Sequence, residues 1–486
     1  MLSHTTKFVL VFFLVLALQG CNPVGPDYRQ PVTQMPDVWQ QKAVKGLASG
    51  EADLETWWEV FDDPVLDGLI ERASGGNLNL EQALYRVEQA RADLSFSTGK
   101  LYPQIDAVGD YQRLRLSDGG TFGVDGGNPG NINMHNLGVD SVWEIDVFGR
   151  IRRAIESSEG SLGASVEDYR DVLVSLYGEV AFNYIEFRTL ELRIKLANAN
   201  IDLQKKTLKL TEDLFKAGIV PQLDVQQANL NLATTESAIP PLRFGKTAAA
   251  NRLAVLAGLM PGALNELLQK EYTLPKLPGR VVVDLPVELL RQRPDIRRAE
   301  RNLAAQTPLI GAATAELYPV FSLTGTFIYQ SQQLRTLVNR SNRTYSFGPT
   351  FGWNLFDGDR IRSRIRFEEA LTAEVFASYK NTILVAMEEV ENSMTAYVEE
   401  FDRKDALKRS VDASKESVDL VETLYKTGLT DFQNVLDMQR SLFSQQDQLA
   451  ESQGKLIQSL IMIYKSLGGG WAEGEETMVA KGVENE

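Results

Sequence analysis

Residues 150–218 read RIRRAIESSEGSLGASVEDYRDVLVSLYGEVAFNYIEFRTLELRIKLANANIDLQKKTLKLTEDLFKAG. Apolar side chains recur in it at Leu173, Leu176, Val180, Tyr184, Phe187, Leu190, Ile194, Ala197, Ile201, Leu208 and Phe215. Steps of three and four sustained over several heptads place one apolar seam along a helix, as in a coiled coil. No proline interrupts residues 130–220. The periodicity therefore predicts a single helix from Arg150 to Phe215, roughly 100 Å long at about 1.5 Å per residue. A compact globular domain has no use for an element of that length. Ala217-Gly218 then offers a glycine for a left-handed C-terminal cap, from which a second helix is expected to return.

The same order recurs 210 residues later. Gly138, Trp143 and Arg150-Ile151-Arg152 fall on Gly348, Trp353 and Arg360-Ile361-Arg362. Phe215-Lys216-Ala217-Gly218 falls on Tyr425-Lys426-Thr427-Gly428, and Gly258 on Gly468. Matches at three separated places mark an internal duplication. Leu101-Tyr102-Pro103 matches Leu317-Tyr318-Pro319 at a shift of 216, so the first copy carries six extra residues, which fall in the loop-like SDGGTFGVDGGNPGNIN at 117–133. The second long helix shows its own seam at Val375, Tyr379, Ile383, Met387, Val390, Met394, Tyr397 and Phe401. The copies differ on the way back: Pro240-Pro241 interrupts the first returning helix, whereas its counterpart runs without proline to Gly468. Prolines 261, 275, 278 and 286 crowd the junction between copies.

Before each long helix the period changes to two. Phe321, Leu323, Phe327 and Tyr329 alternate with Ser322, Thr324, Thr326 and Gln330; Tyr345, Phe347, Phe351, Trp353 and Leu355 alternate with Thr344, Ser346, Thr350 and Asn354. The first copy repeats this in Leu137, Val139, Trp143, Ile145 and Val147 against Asn136, Asp140, Glu144 and Asp146. Its outgoing strand holds one phase at Ile105, Ala107 and Tyr111 and switches at Leu114 and Leu116, which predicts a bulge or an exit from the membrane near Gln112. Long aromatic alternation is the signature of a strand between lipid and a wet lumen, although a soluble half-buried sheet shows the same pattern. Four strands cannot close a barrel, which needs at least about eight, and an open edge in lipid strands backbone groups. Closure is therefore expected from several chains, two giving eight strands and three giving twelve; only twelve leave a lumen wide enough for solutes.

The start of the chain and its composition narrow the function. Residues 1–20 carry Lys7, an apolar run from Phe8 to Leu18 and then Gln19-Gly20, a signal peptide too short to span about 30 Å of hydrocarbon. Leu18-Gln19-Gly20-Cys21 resembles a lipobox, with Cys21 as the lipidation site; the alternative is an ordinary secretory signal with a chance cysteine. The stretch from Pro23 to Pro36 reads as an extended tether. Across 486 residues the net charge is -15, which argues against a nucleic-acid partner. With only His4, His135 and Cys21 available, a His/Cys metal site and Ser-His-Asp or Cys-His catalysis are not expected, so no catalytic or metal residues are assigned and the chain reads as no enzyme.

Several stretches together resemble the TolC-like outer-membrane efflux family, specifically its lipoprotein branch, the NodT-type outer-membrane factors of resistance-nodulation-division pumps. They are Trp57-Trp58 with Phe61-Asp62-Asp63-Pro64, LPVELLRQRPDIRRAERNL at 285–303, Ile310-Gly311, Tyr318-Pro319 and Asn251-Arg252-Leu253-Ala254. Thr307-Pro308 departs from the family, sitting where its helix usually continues. The resemblance implies a mainly α fold with a small β part: long antiparallel helical hairpins forming a trimeric α-barrel tunnel, and four strands per chain in a 12-stranded transmembrane β-barrel. It divides the chain into a signal peptide (1–20), a lipid-anchored tether and belt segment (21–63), repeat 1 (64–258, strands within 102–147, tip near 217–221), a belt junction (259–285), repeat 2 (286–468, strands within 319–356, tip near 427–431) and a tail (469–486).

The function it implies is a homotrimeric channel, set in outer-membrane lipid with a long periplasmic extension. It would passively conduct small toxic compounds from a periplasmic adaptor protein and an inner-membrane pump, with no cofactor beyond covalent lipid such as palmitate on Cys21; the alternative is the outlet of a type I protein secretion system. Gln433, Asp437 and Arg440 lie on one helical face by spacing, and by resemblance Asp437 and Arg440 match the family's gate region. The competing reading of that pair is a solvated ion pair. Gly218, Thr427, Gly428 and Leu429 mark the tips expected to meet the adaptor.

Overall fold

A computed structural model gives the fold and describes residues 22–32, 47–48, 54–115, 131–269, 274–275, 281–282 and 287–472. Cys21, the signal peptide, the 117–130 part of the loop and the tail beyond residue 472 lie outside the described residues. The helices are α1 (Pro64–Gly76), α2 (Leu78–Gly99), α3 (Arg150–Lys216), α4 (Gln222–Ser237), α5 (Ile239–Leu256), α6 (Asn265–Leu268), α7 (Pro294–Ala315), α8 (Arg360–Lys426) and α9 (Phe432–Ser466). The strands are β1 (Leu47–Ala48), β2 (Gln104–Arg115), β3 (Asn131–Ile145), β4 (Val281–Val282), β5 (Val320–Ser331) and β6 (Arg343–Gly352). No described helix is long and apolar enough to cross a membrane. The seams in α3 and α8 recur at coiled-coil spacing but never merge into a continuous apolar run.

Both long helices have 67 residues and start 210 apart, at Arg150 and Arg360. The first returning helix breaks at Ala238 into α4 and α5, with Pro240 and Pro241 in the first turn of α5, where their missing N–H groups cost nothing. Its counterpart α9 runs unbroken for 35 residues. Pro308 sits inside α7 without ending it.

Two units are distinguished, residues 1–32, 87–165 and 299–379 in one, and 33–86, 166–298 and 380–486 in the other. In the first, β2, β3, β5 and β6 form one antiparallel sheet in that order. The two copies meet at the β3–β5 ladder, leaving β2 and β6 as edges. The expected bulge at Gln112 is absent: the β2–β3 ladder continues through Gln112↔Met134 to Arg115↔Asn131. Leu114 pairs with Ile132, so the phase switch is a true change of face at that end of the hairpin rather than a backbone irregularity.

The tether reading also needs correction, because the chain just after Cys21 is docked in this unit. Arg153, buried beside it, donates to the carbonyls of Pro23, Val24 and Gly25 and to Asp27. The Val24 N–H donates to Phe148 O (3.0 Å). Tyr28 and Gln30 donate to the two oxygens of Glu300, 3.0 and 3.1 Å away. Gly25 lies so close to Gly311 that a Cβ on it would sit 2.3 Å from the Gly311 Cα. These bonds from Pro23 to Gln30 fix the strap against the unit, which a free tether would lack.

The second unit holds the largest buried side chains. Trp57 stacks on Tyr464 (5.5 Å between centroids). Asp63 caps α1 through the Val65 and Leu66 amides and accepts from Tyr184 Oη at 2.6 Å. β1 and β4 pair in parallel, and Gly470 N donates to Leu54 O (2.7 Å), so segments from both ends of the chain and from the proline-rich junction share this unit.

Candidate functional site

The sheet sorts its side chains by parity. Because the ladders pair Val139 with Ala107 and Phe327, and Phe327 with Tyr345, odd-numbered residues share one face. That face carries Leu137, Val139, Trp143, Ile145, Phe321, Leu323, Phe327, Tyr345, Phe347 and Phe351, all exposed in the single chain. The even face carries Asp106, Asp110, Asp140 and Glu144 from the first copy, and Ser322, Thr324, Thr326, Ser346 and Thr350 from the second. Trp143 and Trp353 close the apolar face at equivalent places, donating to Leu101 O (2.8 Å) and Leu317 O (3.0 Å). An exposed apolar face with tryptophans at one end fits hydrocarbon; a hydroxyl and carboxylate face fits water.

The tips lie in the second unit. α3 and α8 end in glycines at φ +73° and +74°, Gly218 and Gly428. The Ile219 and Leu429 amides reach back to Leu214 O (3.0 Å) and Leu424 O (2.9 Å), closing two Schellman turns. Thr427 turns its hydroxyl onto Thr423 O and Leu424 O. Ile219 and Leu429 are exposed, and nothing lies within 4 Å of a Cβ placed on either glycine. Behind the turns, Ala228, Val421, Tyr425, Phe432, Val435 and Leu436 form a shared core. The hairpins of the two copies thus support each other.

Gln433, Asp437 and Arg440 come together as their spacing predicts. Gln433 Nε2 donates to Asp437 Oδ1 at 2.9 Å. Arg440 Nη1 is 3.9 Å from Asp437, a long contact between half-exposed groups, while its Nε donates to Asn231 Oδ1 at 3.0 Å. Asn231 is buried and belongs to α4, so Arg440 ties the second hairpin to the first. The neighbouring Gln439, also buried, donates to Thr207 Oγ1 (2.7 Å) and Glu422 Oε1 (3.2 Å). At the equivalent face of the first copy stand Leu223, Gln227 and Leu230, two of them exposed leucines. Burial, and then the charge of Asp431, push the Asp224 carboxyl above its usual range.

The sequence model of the family described as "Outer membrane efflux protein" matches residues 69–259 and 285–469. The chain belongs to that family. It is an outer-membrane efflux channel, mainly α with a small antiparallel sheet. It is 29% identical to "Nodulation protein T" of Rhizobium leguminosarum bv. viciae over 94% of this chain and 92% of the relative. It is 30% identical to the "Solvent efflux pump outer membrane protein SrpC" of Pseudomonas putida, covering 95% and 98%. Among solved structures, the outer-membrane channel OprN superposes with a TM-score of 0.85 at 35% identity, over 92% of this chain and 99% of that one. The Campylobacter jejuni CmeC channel shares the fold, with a TM-score of 0.86 at 22% identity, over 95% and 98%.

Sequence reasoning about the channel missed Asn231, Gln439 and Thr207. Each is a short polar residue on a helix, which by itself signals nothing. The departure of the copies at Leu230 and Arg440 was the available clue, since a cation with no counterpart in a duplicated scaffold needs its own partner.

Proposed function

We propose that three copies close a twelve-stranded barrel in the outer membrane, anchored by lipid on Cys21, and conduct small toxic compounds delivered by a periplasmic adaptor and an inner-membrane pump of the resistance-nodulation-division type. The observation that carries this is the four-stranded sheet with one exposed face rich in large apolar side chains and two unpaired edges, β2 and β6. In lipid such edges must be met by other chains. The name of the solvent-efflux relative makes small apolar solvents the first substrates to try. The tips, with Ile219 and Leu429 exposed beside Gly218 and Gly428, are the surface for the adaptor.

The duct is held shut, in this reading, by a ring of Asp437 side chains, one per copy. Each is oriented by Gln433, and Arg440 is committed to Asn231 rather than spent on neutralising Asp437. The test takes the purified full-length protein. Heat-sensitive, trimer-sized migration on a mildly denaturing gel is expected, and in planar bilayers Asp437→Ala should raise the closed-state conductance several-fold. An unaltered closed state in that variant removes Asp437 from the gate, and monomer-sized migration without heating removes the trimer.

A further inference from the structure

The duplication holds at the level of strand register. The first hairpin sets Val108 opposite Gly138 and Asp106 opposite Asp140. Moved by 216 residues on the outgoing strand and 210 on the returning one, these become Thr324 opposite Gly348 and Ser322 opposite Thr350, the pairs of the second hairpin. The β2–β3 ladder stops at Val142 and the β5–β6 ladder at Gly352, again equivalent places.

One ladder has no counterpart within the chain. β3 also pairs with β5, and that ladder carries on past Val142 through Glu144 to Ile145. β6, the duplicate of β3, and β2, the duplicate of β5, each keep an open edge among the described residues. A Cβ on Gly138 would lie 2.2 Å from Phe327 O of β5, whereas nothing among the described residues stands within 4 Å of one on Gly348. Strand direction alternates across the sheet, so β2 and β6 run opposite ways. Copies inserted in one sense can join antiparallel only by setting β6 of one against β2 of the next, a heterologous contact that closes a ring.

We propose that β6 and β2 of adjacent copies pair in the register dictated by the β3–β5 ladder, Thr350 opposite Asp110 and Asn354 opposite Asp106. This deepens the trimer reading above and rests on it. The β3–β5 pairs Asp140↔Thr326 and Glu144↔Ser322 map onto these two under the same shifts. A slip of one residue is excluded, because it would set the aromatic face of one copy level with the hydroxyl and carboxylate face of the next. Slips of two keep the faces, so side-chain chemistry decides among them. In the proposed register the Thr350 hydroxyl and the Asn354 amide each have an edge carboxylate of the next copy as acceptor. A slip of two one way sets Asp110 and Asp106 opposite Gly352 and Phe356; the other way, opposite Gly348 and Gly352. Neither supplies a side-chain donor. Asp106 already faces Asp140 inside its own copy, so a donor on its open side offsets that repulsion. The same register covers Leu355 with Ile105 of the next copy and extends β6 to Leu355, as β3 extends to Ile145. Each neighbour thus completes the acidic part of the wet face.

The test uses the full-length channel, whose only native cysteine is Cys21. Cysteines are paired as Thr350→Cys with Asp110→Cys on one face and Phe351→Cys with Gly109→Cys on the other, and oxidised in native membranes beside the parent. Successive pairs alternate between the two ladder geometries, so one of these has the closer approach that suits a disulfide. Reducible, heat-resistant multimers are expected from at least one pair, several-fold faster than from the slipped pairs Thr350→Cys with Val108→Cys or Gln112→Cys, and Phe351→Cys with Ala107→Cys or Tyr111→Cys. Faster linking of a slipped pair overturns the register and leaves the trimer standing. No linking from any pair in heat-sensitive trimers overturns the β6–β2 contact. A parent that migrates as a monomer without heating sinks the trimer reading itself. Independently of any cysteine, Thr350→Val with Asn354→Leu should lower the temperature at which the trimer dissociates by several degrees. Thr326→Val with Ser322→Ala, the equivalent change on the ladder inside one copy, should not. An unchanged dissociation temperature in the first variant overturns the role of Thr350 and Asn354 as donors.

Discussion

Arg153 shows how one side chain fixes a segment that local patterning describes wrongly. Its head is nearly inaccessible and is shared among three strap carbonyls, Asp27 and Glu156. Arg153→Met should leave the helix intact but free the strap, at a cost of about 2 kcal/mol in lost hydrogen bonds, since Asp27 is mostly exposed and adds little. The Val24 amide, bonded to Phe148 O, reports this directly: its hydrogen exchange should quicken roughly 30-fold. Asp224 offers a pH-dependent case. Its carboxyl is raised by burial and then by Asp431, which outweighs any attraction to the start of α4. A raised acid binds more protons folded than unfolded, so its charge destabilises the fold fully above the folded pKa, and the penalty is lost as pH falls through the folded pKa to the unfolded value. Asp224→Asn should therefore melt higher than the parent at pH 7, with the gap closing near pH 4.

At the scale of elements, the sheet's parity rule gives a paired prediction. Phe327 and Thr326 are adjacent in β5 but point to opposite faces. Phe327→Lys should cost about 2–4 kcal/mol of stability in a bilayer if it lies near the midplane, whereas Thr326→Lys faces water and should cost little. The fraction of heat-sensitive oligomer recovered from vesicles measures both; equal losses would contradict the orientation. The long helices were legible within a residue or so, Arg150–Lys216 against an expected Arg150 to Phe215, because their seam repeats through many turns. Strand β5 was legible for the same reason. The outgoing strand β2 was legible only in part: its phase switch suggested a bulge or an exit from the membrane near Gln112, and the unbroken ladder to β3 removes the bulge. A ladder is a property of two strands, and one strand's pattern cannot report it. The strap and the Arg440–Asn231 bond were hidden likewise, since both join residues far apart in sequence.

At the scale of the whole molecule, duplication sets the architecture and divergence sets the charge. The even face of the first copy is acidic, with Asp106 directly opposite Asp140 in the β2–β3 ladder. The matching positions of the second copy carry only hydroxyls and an amide where those acids stand, Ser322, Thr326, Thr350 and Asn354. Like charges facing across a ladder weaken a sheet, so retaining them opposes stability and points to an effect on what passes. In a closed trimer, three acidic stripes would alternate with three neutral ones around the lumen. Such a wall concentrates cations and repels anions, within a screening length of about 8 Å at physiological salt. The channel should therefore prefer cations in a salt gradient. Asp106→Asn with Asp140→Asn should move the reversal potential toward zero and stabilise the hairpin by a few tenths of a kcal/mol or more, while Thr326→Ala should alter neither. An unchanged reversal potential in the double variant would place the selective barrier elsewhere in the duct.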